Sequence, residues 1–428
     1  MPEDNKAIFT ASQIFLWFQK SSLVILDQTL FSGGNFLVSI LLARWLTPVQ
    51  YGAYAVAFSI FLLLTTFHTA LFIEPMLVFG AGKYNNNFQR YLAILLYGNI
   101  IAVIPFSIIL VVISLFLGKY HSIEVQKAIL GLVIAGPIIL FLLTLRRAFY
   151  VRFRPIFSVI GVGVYILILI IFIYVMKTYN MLSQSTAFLG MGLSSFIISV
   201  SFIYRLRPKW VGSHDITLNA VADVHWRYGK WALASAVMVW IPSNIYFIVL
   251  PLWIGLNGAA ILKVVMNIGN IAFLSNGALA LFLIPLFSKY AAESKNKMIS
   301  VMKFFFALFI IGNICYFLIL TYFPREILNL FYGKRYEEFY YLIPLVGFLA
   351  IPNSVGSVFA SALRAMELPS RVFLYVMTSV LVTFVIGIPL ATIMGITGVI
   401  LGTFLSFSIS ALAILFFLHK EIYNWGKP

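Results

Sequence analysis

Apolar runs long enough to cross a bilayer follow one another along almost the whole chain, and each is closed by a short polar or charged segment. A membrane-spanning helix needs about 20 such residues. A barrel strand would alternate apolar and polar positions over about ten. Stretches such as Tyr91 to Leu117 and Arg371 to Met394 are instead apolar on every side. In lipid each backbone amide must be satisfied internally, so runs of this kind fold as helices. The pattern predicts twelve, at 23–45, 54–79, 91–117, 128–147, 157–176, 185–204, 231–254, 259–286, 304–323, 339–362, 372–393 and 396–418. The predicted fold class is therefore an all-α polytopic membrane protein. The longest segment left over, 205–230, is too short for a folded domain and reads as a linker between an N-terminal bundle (1–204) and a C-terminal one (231–428).

Composition agrees with this picture and removes rivals to it. Hydrophobic residues make up 62% of the chain and charged ones 10%, against about 25% charged in soluble proteins. The net charge of +16 would suggest nucleic acid in a soluble protein. Here the distribution explains it. With the N-terminus inside, twenty-one of the 29 Lys and Arg fall in cytoplasmic segments and seven on the other side, with Lys263 inside a span. That is the bias expected of cytoplasmic loops; it puts both termini in the cytoplasm and excludes a nucleic-acid partner. The N-terminus lacks the pattern of a cleaved signal. Ile8 to Phe18 reads as a short amphipathic helix in the interface. The single cysteine, Cys315, lies in the ninth span and offers no disulfide or thiol chemistry.

The two halves resemble each other. Leu42-Ala43-Arg44-Trp45-Leu46-Thr47-Pro48-Val49-Gln50-Tyr51-Gly52 compares with Pro251-Leu252-Trp253-Ile254-Gly255-Leu256-Asn257-Gly258, each ending a span with a Trp and turning at a Gly. Arg147-Ala148 compares with Arg364-Ala365, and Gly190, Leu193 and Ser194 with Gly402, Leu405 and Ser406. All three separations are close to half the chain. Six spans per half is an even number, so the repeat should be parallel, its pseudo-twofold along the membrane normal. A cleft between two such six-helix bundles is where a substrate would cross.

Intramembrane polar residues mark the candidate chemistry. Only Asp27 and Glu74, of thirteen carboxylates, fall well inside spans. A charge at a span centre costs about 2.5–3.5 kcal/mol on insertion scales, which makes such residues functional candidates. The structural alternatives are a helix N-terminus for Asp27 and a hydrogen bond at the Pro75 bend for Glu74. Gln28, Ser32, Asn35 and Ser39 line one face of the first span, and Lys263, Asn267 and Asn270 one face of the eighth. Such faces should look into a cavity or another helix, since helix-to-helix hydrogen bonding also places amides this way. The Gly398-x-x-x-Gly402 spacing reads as packing. No paired acids, metal-ligand spacing, Walker A sequence or Gly-x-Ser-x-Gly is present. Only His68, of five histidines, falls inside a predicted span. The chain is expected to be neither an enzyme nor a primary pump, and to carry no metal or other cofactor.

Asp27-Gln28-Thr29-Leu30-Phe31-Ser32-Gly33-Gly34-Asn35, the Leu42 to Pro48 turn with Tyr51-Gly52, and Glu74-Pro75 resemble the opening of Wzx-type polysaccharide flippases, in the multidrug/oligosaccharidyl-lipid/polysaccharide exporter superfamily. Leu46-Thr47-Pro48 stands where that family usually has Leu-Gly-Pro. The resemblance implies a substrate of oligosaccharide linked to polyprenyl pyrophosphate, moved from the cytoplasmic to the periplasmic leaflet of a bacterial inner membrane during O-antigen or exopolysaccharide assembly. It also implies ion coupling, and other assembly proteins as partners besides the lipid bilayer. A pyrophosphate in a cleft needs cations, which Arg146, Arg147, Arg364 and Lys263 could supply with Gln28, Asn35, Asn267 and Asn270 as further polar contacts. The positive-inside rule would also place those arginines at cytoplasmic ends. Asp27 and Glu74 are the acids available for coupling. The two halves would rock about the cleft, with the first span and the seventh (Pro242, Pro251) bending.

Two other functions stay open at this level. A multidrug exporter of the same superfamily would want an acidic, aromatic cavity. A polymerase or ligase of glycan assembly would carry a large periplasmic loop, and none is present.

Overall fold

The computed structural model describes residues 11–120, 122–210 and 216–424, and its elements there are all helical. Fifteen α-helices follow in chain order: α1 Ala11–Trp45, α2 Pro48–His68, α3 Glu74–Ala81, α4 Phe88–Tyr120, α5 Ile123–Val151, α6 Pro155–Thr178, α7 Gln184–Leu206, α8 Leu218–Val249, α9 Pro251–Glu293, α10 Lys295–Tyr322, α11 Pro324–Tyr332, α12 Leu342–Phe348, α13 Ala350–Ala365, α14 Pro369–Val382 and α15 Ile388–Asn424. Eleven helical stretches are long and apolar enough to cross a membrane. The last of them, Ser370–Asn424, is 55 residues long and is interrupted at Gly395, where φ is 57°. It therefore supplies two of the expected crossings. The interfacial helix expected at Ile8–Phe18 lies outside the described side chains; from Ala11 its backbone is the beginning of α1.

Most spans match their apolar runs, and the departures have local causes. The segment 205–230 is not all linker, because α8 begins at Leu218. Amphipathic residues such as His225, Trp226 and Tyr228 interrupt the apolar pattern there without interrupting the helix. Pro251 does not bend the seventh span. It occupies the first turn of α9, where its missing N–H is not needed. The chain reverses at Gly255, whose φ of 73° suits a residue without a Cβ. The second turn motif thus lies beyond the end of α8, with Trp253 inside the next helical turn.

Prolines also account for two helical irregularities. A five-residue π-turn, Thr69–Ile73, joins α2 to α3, and another, Thr383–Gly387, joins α14 to α15. Each ends two residues before a proline, Pro75 and Pro389. Proline has no N–H for the carbonyl four residues back, and its ring crowds that carbonyl. The helix widens instead, with Glu74 N–H reaching Thr69 O and Ile388 N–H reaching Thr383 O.

By internal contacts the chain divides into two compact units. The first comprises Met1–Ser39, His68–Phe116 and Ile129–Trp231; the second comprises Ile40–Phe67, Leu117–Ala128 and Ala232–Pro428. These are not the two sequence halves, since the end of α1 and nearly all of α2 pack with the C-terminal helices.

In the first unit small residues let helices approach closely. A Cβ on Gly131 would lie 2.8 Å from Ser185 O, and one on Gly192 would lie 3.0 Å from Ala135. The core of the second unit is built on α13, which packs along α9, α10 and α15 with Phe287, Phe309, Phe359, Leu363 and Ile414 buried. The Gly398-x-x-x-Gly402 face does serve packing: a Cβ on Gly402 would lie 2.6 Å from Gly387 Cα. The two turn motifs that resemble each other in sequence meet within this unit. A Cβ on Gly52 would lie 1.9 Å from Leu256 O. Two arginines then fasten the same end. Arg44 donates to Phe331 O and Leu330 O at the end of α11, and Arg335 donates to Ala43 O and Leu46 O at the end of α1. Each cation satisfies carbonyls that a helix C-terminus leaves without partners.

Candidate functional site

Three clusters of buried polar groups stand out from the apolar interior. The first is organised by Asp27, which is fully buried on α1. Arg146 of α5 donates through Nε and Nη2 to the same carboxylate oxygen, at 2.9 and 2.7 Å. Tyr150, one turn further along α5, donates to that oxygen as well, and Ser158 of α6 donates to the other at 2.9 Å. Arg146 Nη2 also reaches Asp27 O, and the guanidinium lies 4.2 Å from the Phe31 ring centroid. A carboxylate so fully satisfied is an acceptable buried charge, whereas a lone one would not be. Arg147, the next residue along α5, donates to Gln28 Oε1 at 2.9 Å. The structure therefore brings together Asp27, Gln28, Arg146 and Arg147. Arg146 is committed to Asp27 and has only Gln28 Oε1, at 3.4 Å, as a further side-chain acceptor. Ser32 and Asn35 are half-buried on the same helix.

The second cluster surrounds the Thr69–Ile73 π-turn. Because Pro75 cannot bond Leu71 O, that carbonyl accepts from His225 Nδ1 of α8 at 2.8 Å. The other ring nitrogen accepts from Tyr91 OH at 2.6 Å. Just before the turn, His68 Nε2 accepts from Asn99 Nδ2 at 2.8 Å with Thr144 Oγ1 at 3.1 Å, while its Nδ1 is buried without a partner among the described residues. Glu74 follows the turn directly and is half-buried. No hydrogen bond or ion pair engages its carboxylate among the described residues, and it takes no part in the Asp27 cluster. His225 was invisible in the sequence because it lies in what reads as linker. His68 is thus not the only histidine within a long helix. The signal that could have found His225 is the proline that orphans Leu71 O.

The third cluster belongs to the second unit. Lys263 of α9 is buried, with its ammonium 4.7 Å from the Phe58 ring centroid and 5.4 Å from that of Phe247. No carboxylate pairs with it among the described residues. One turn along, Asn267 Nδ2 donates to Tyr51 OH at 3.3 Å and Tyr332 OH at 3.4 Å. Tyr51, Tyr54 and Phe58 stack successively along α2. Asn270 ends the expected stripe but is exposed, and Arg364 is exposed at the end of α13. A desolvated cation–π contact contributes about 2 kcal/mol, while burying an ion costs several. Aromatic rings alone do not offset the burial of Lys263, which leaves it the uncompensated charge of this unit's interior. Among the described residues no group of His, Cys, Asp and Glu could hold a metal ion.

Comparison with known proteins bears on the fold. No protein-family model matches the sequence, and no curated protein matches it. Solved structures do match. An inward-facing multidrug resistance MATE family transporter of the MOP superfamily superposes with a TM-score of 0.76 at 16% identity, over 93% of this chain and 95% of that one. A MOP superfamily transporter from Pyrococcus furiosus, described as having a binding pocket of reverse polarity that suggests a different function, gives 0.66 at 16% identity over 96% and 97%. A eukaryotic MATE transporter gives 0.66 at 14% identity over 96% and 98%. The chain has the fold of the MOP superfamily transporters. That fold is known in inward-facing and outward-facing conformations, the pair of states that alternating access requires.

Proposed function

We propose that this protein is a flippase for an anionic lipid-linked oligosaccharide, a glycan on polyprenyl pyrophosphate, carried between leaflets of a bacterial inner membrane by ion-coupled alternating access. The observation that carries this reading is Lys263, a buried cation held between aromatic rings with no counter-anion among the described residues. An anionic head group would supply that counter-charge, and Asn267, Asn270 and Arg364 of the same unit offer further donors for phosphate and sugar. The Pyrococcus furiosus neighbour, described by its reverse pocket polarity, indicates that this fold tolerates such a change of charge.

Coupling falls to Asp27 and Glu74. Protonation of Asp27 would remove the charge that holds Arg146 and free its guanidinium fork for a phosphate. An exchange of partners at one buried arginine is a two-state element of the kind a ligand can bias. The competing reading is multidrug export, as two of the neighbours are described, here of cationic drugs. It would require an unengaged acid, and Asp27 is already taken by Arg146, Tyr150 and Ser158; Glu74 alone fits.

Reconstitution decides between them. Proteoliposomes containing the full chain should accelerate the flipping of a short-chain polyprenyl-pyrophosphate oligosaccharide, and Lys263→Met should abolish it. Transport of an organic cation such as ethidium, with no flipping of the pyrophosphate lipid, would overturn the proposal.

A further inference from the structure

A cavity of about 320 Å³ opens in the first unit where α5 ends, α6 begins and α7 ends. It lies outside the three clusters above, and its volume is in the range of small-ligand pockets, about 300–1,000 Å³. Arg152, Arg154, Arg205 and Arg207 line it together with aromatic rings, and no Asp or Glu does. None of the four arginines forms an ion pair among the described residues. Like charges converge at a cost unless an anion is present. The positive-inside rule explains their sign but not their meeting in one pocket.

The local structure aims them there. The chain leaves α5 through Phe153, two residues past its end, with φ of 54°, and leaves α7 through Arg207, its C-cap, with φ of 48°. Neither is glycine, and the left-handed conformation costs an ordinary residue about 1–2 kcal/mol. Each reversal sets its two arginines against the same space. Arg205 lies over the Phe157 ring, 4.7 Å from its centroid, and Arg152 over that of Phe88 at 5.8 Å. A ring contact of this kind uses none of the guanidinium N–H groups as in-plane donors, and these are what a phosphate fork takes. Arg154 also stands at the start of α6, which has no side-chain cap, so the positive end of the helix dipole adds to the anionic preference.

We infer that this pocket binds a phosphate-bearing anion, and that its source is the head group of an acidic membrane lipid. Ile156 and Ile160, in the first and second turns of the α6 that starts at the pocket, and Ile197 and Val200 on the α7 that ends there, are exposed, so the helices that frame the pocket offer acyl chains apolar surface that a free phosphate would not need. The pocket lies at the end of the helices that the Lys and Arg bias assigns to the cytoplasm, where basic pockets between spans take such head groups. The inference is independent of what the protein transports.

The test uses the purified full chain in nanodiscs of phosphatidylcholine, alone or mixed with phosphatidylglycerol. Phosphatidylglycerol retained in native mass spectrometry, and the rise in melting temperature it brings, are measured. The wild type should retain it. The combined variant Arg152→Gln, Arg154→Gln, Arg205→Gln, Arg207→Gln should lose retention by at least about tenfold, with unchanged melting in phosphatidylcholine alone. Single variants Arg152→Gln and Arg205→Gln should each lose part, which covers the case in which the combined variant misfolds. The charge-matched variant Lys230→Gln, Lys289→Gln, Lys303→Gln, Lys420→Gln, at exposed sites elsewhere, should retain the lipid. Inorganic phosphate that stabilises the wild type equally in phosphatidylcholine, and not the pocket variants, would support the anion site and name a free source. Equal loss in the charge-matched control, or no loss in the pocket variants, would overturn the inference.

Discussion

Arg146 directs both Nε and Nη2 at a single oxygen of Asp27, a residue 119 positions away in sequence, and the two side chains are almost fully excluded from the surface. The pair is a structural contact as the protein stands, and a switch only if Asp27 gains a proton. Breaking it from one side should be severe. Arg146→Ala leaves a buried carboxylate uncompensated and should lower stability by about 3–5 kcal/mol. Removing both charges together, Asp27→Asn with Arg146→Gln, should restore much of that loss. Thermal unfolding of the wild type, Asp27→Asn, Arg146→Gln and the double variant in the same lipid checks it, and additive losses would mean that the two residues act independently.

Function should separate from stability at the same pair. Asp27→Asn leaves Arg146 buried without its carboxylate and should itself lose stability, so its amount in the membrane is matched to the wild type before transport is read. Gradient-driven transport should nevertheless stop while exchange at equilibrium continues. If Asp27→Asn and Glu74→Gln both transport at the full rate under a gradient, neither acid couples an ion.

The π-turn yields a double-mutant cycle. His225→Phe leaves Leu71 O without its ring N–H, an unsatisfied buried acceptor costing about 1–3 kcal/mol. Pro75→Ala supplies a backbone N–H to the same carbonyl and should rescue His225→Phe. Unfolding free energies of the single and double variants give the coupling; no rescue would mean that Pro75 does not cause the vacancy at Leu71 O.

Gly52 has no room for even one methyl group. Gly52→Ala would set a Cβ 1.9 Å from backbone oxygen Leu256 O, which no side-chain rotation can relieve. Overpacking of this kind costs about 1–3 kcal/mol or more. Reduced melting temperature and yield are expected, while Gly33→Ala, where nothing lies within 4 Å, should be neutral. Equal behaviour of the two variants would contradict the close approach of α2 and α9.

Orientation can be checked in cells. Reporter fusions should place Lys209 in the cytoplasm and Lys177 outside it, as the Lys and Arg bias requires. The opposite result at either site would reverse or break the assigned topology.

The sequence by itself determined where the chain is helical in the membrane. Hydropathy is a local property, and a helix in lipid satisfies its own backbone without help from the rest of the fold. Local chemistry also marked two places where helices would falter, at Pro75 and Gly255. It marked the residues too costly to be idle, Asp27 and Lys263. Only the tertiary structure decided what those residues do. Asp27 meets Arg146 because α1 and α5 pack together, and nothing near either residue in sequence encodes the other. Lys263 meets rings presented by α2 and α8 and, among the described residues, no carboxylate. Residues 40–67 pack with the C-terminal helices although they precede most of the N-terminal ones. His225 became a partner of the π-turn through a helix that began where the apolar pattern had stopped. In a bilayer every span is equally content with lipid, so the choice of helix partners rests on small-residue contacts and buried polar pairs between distant segments.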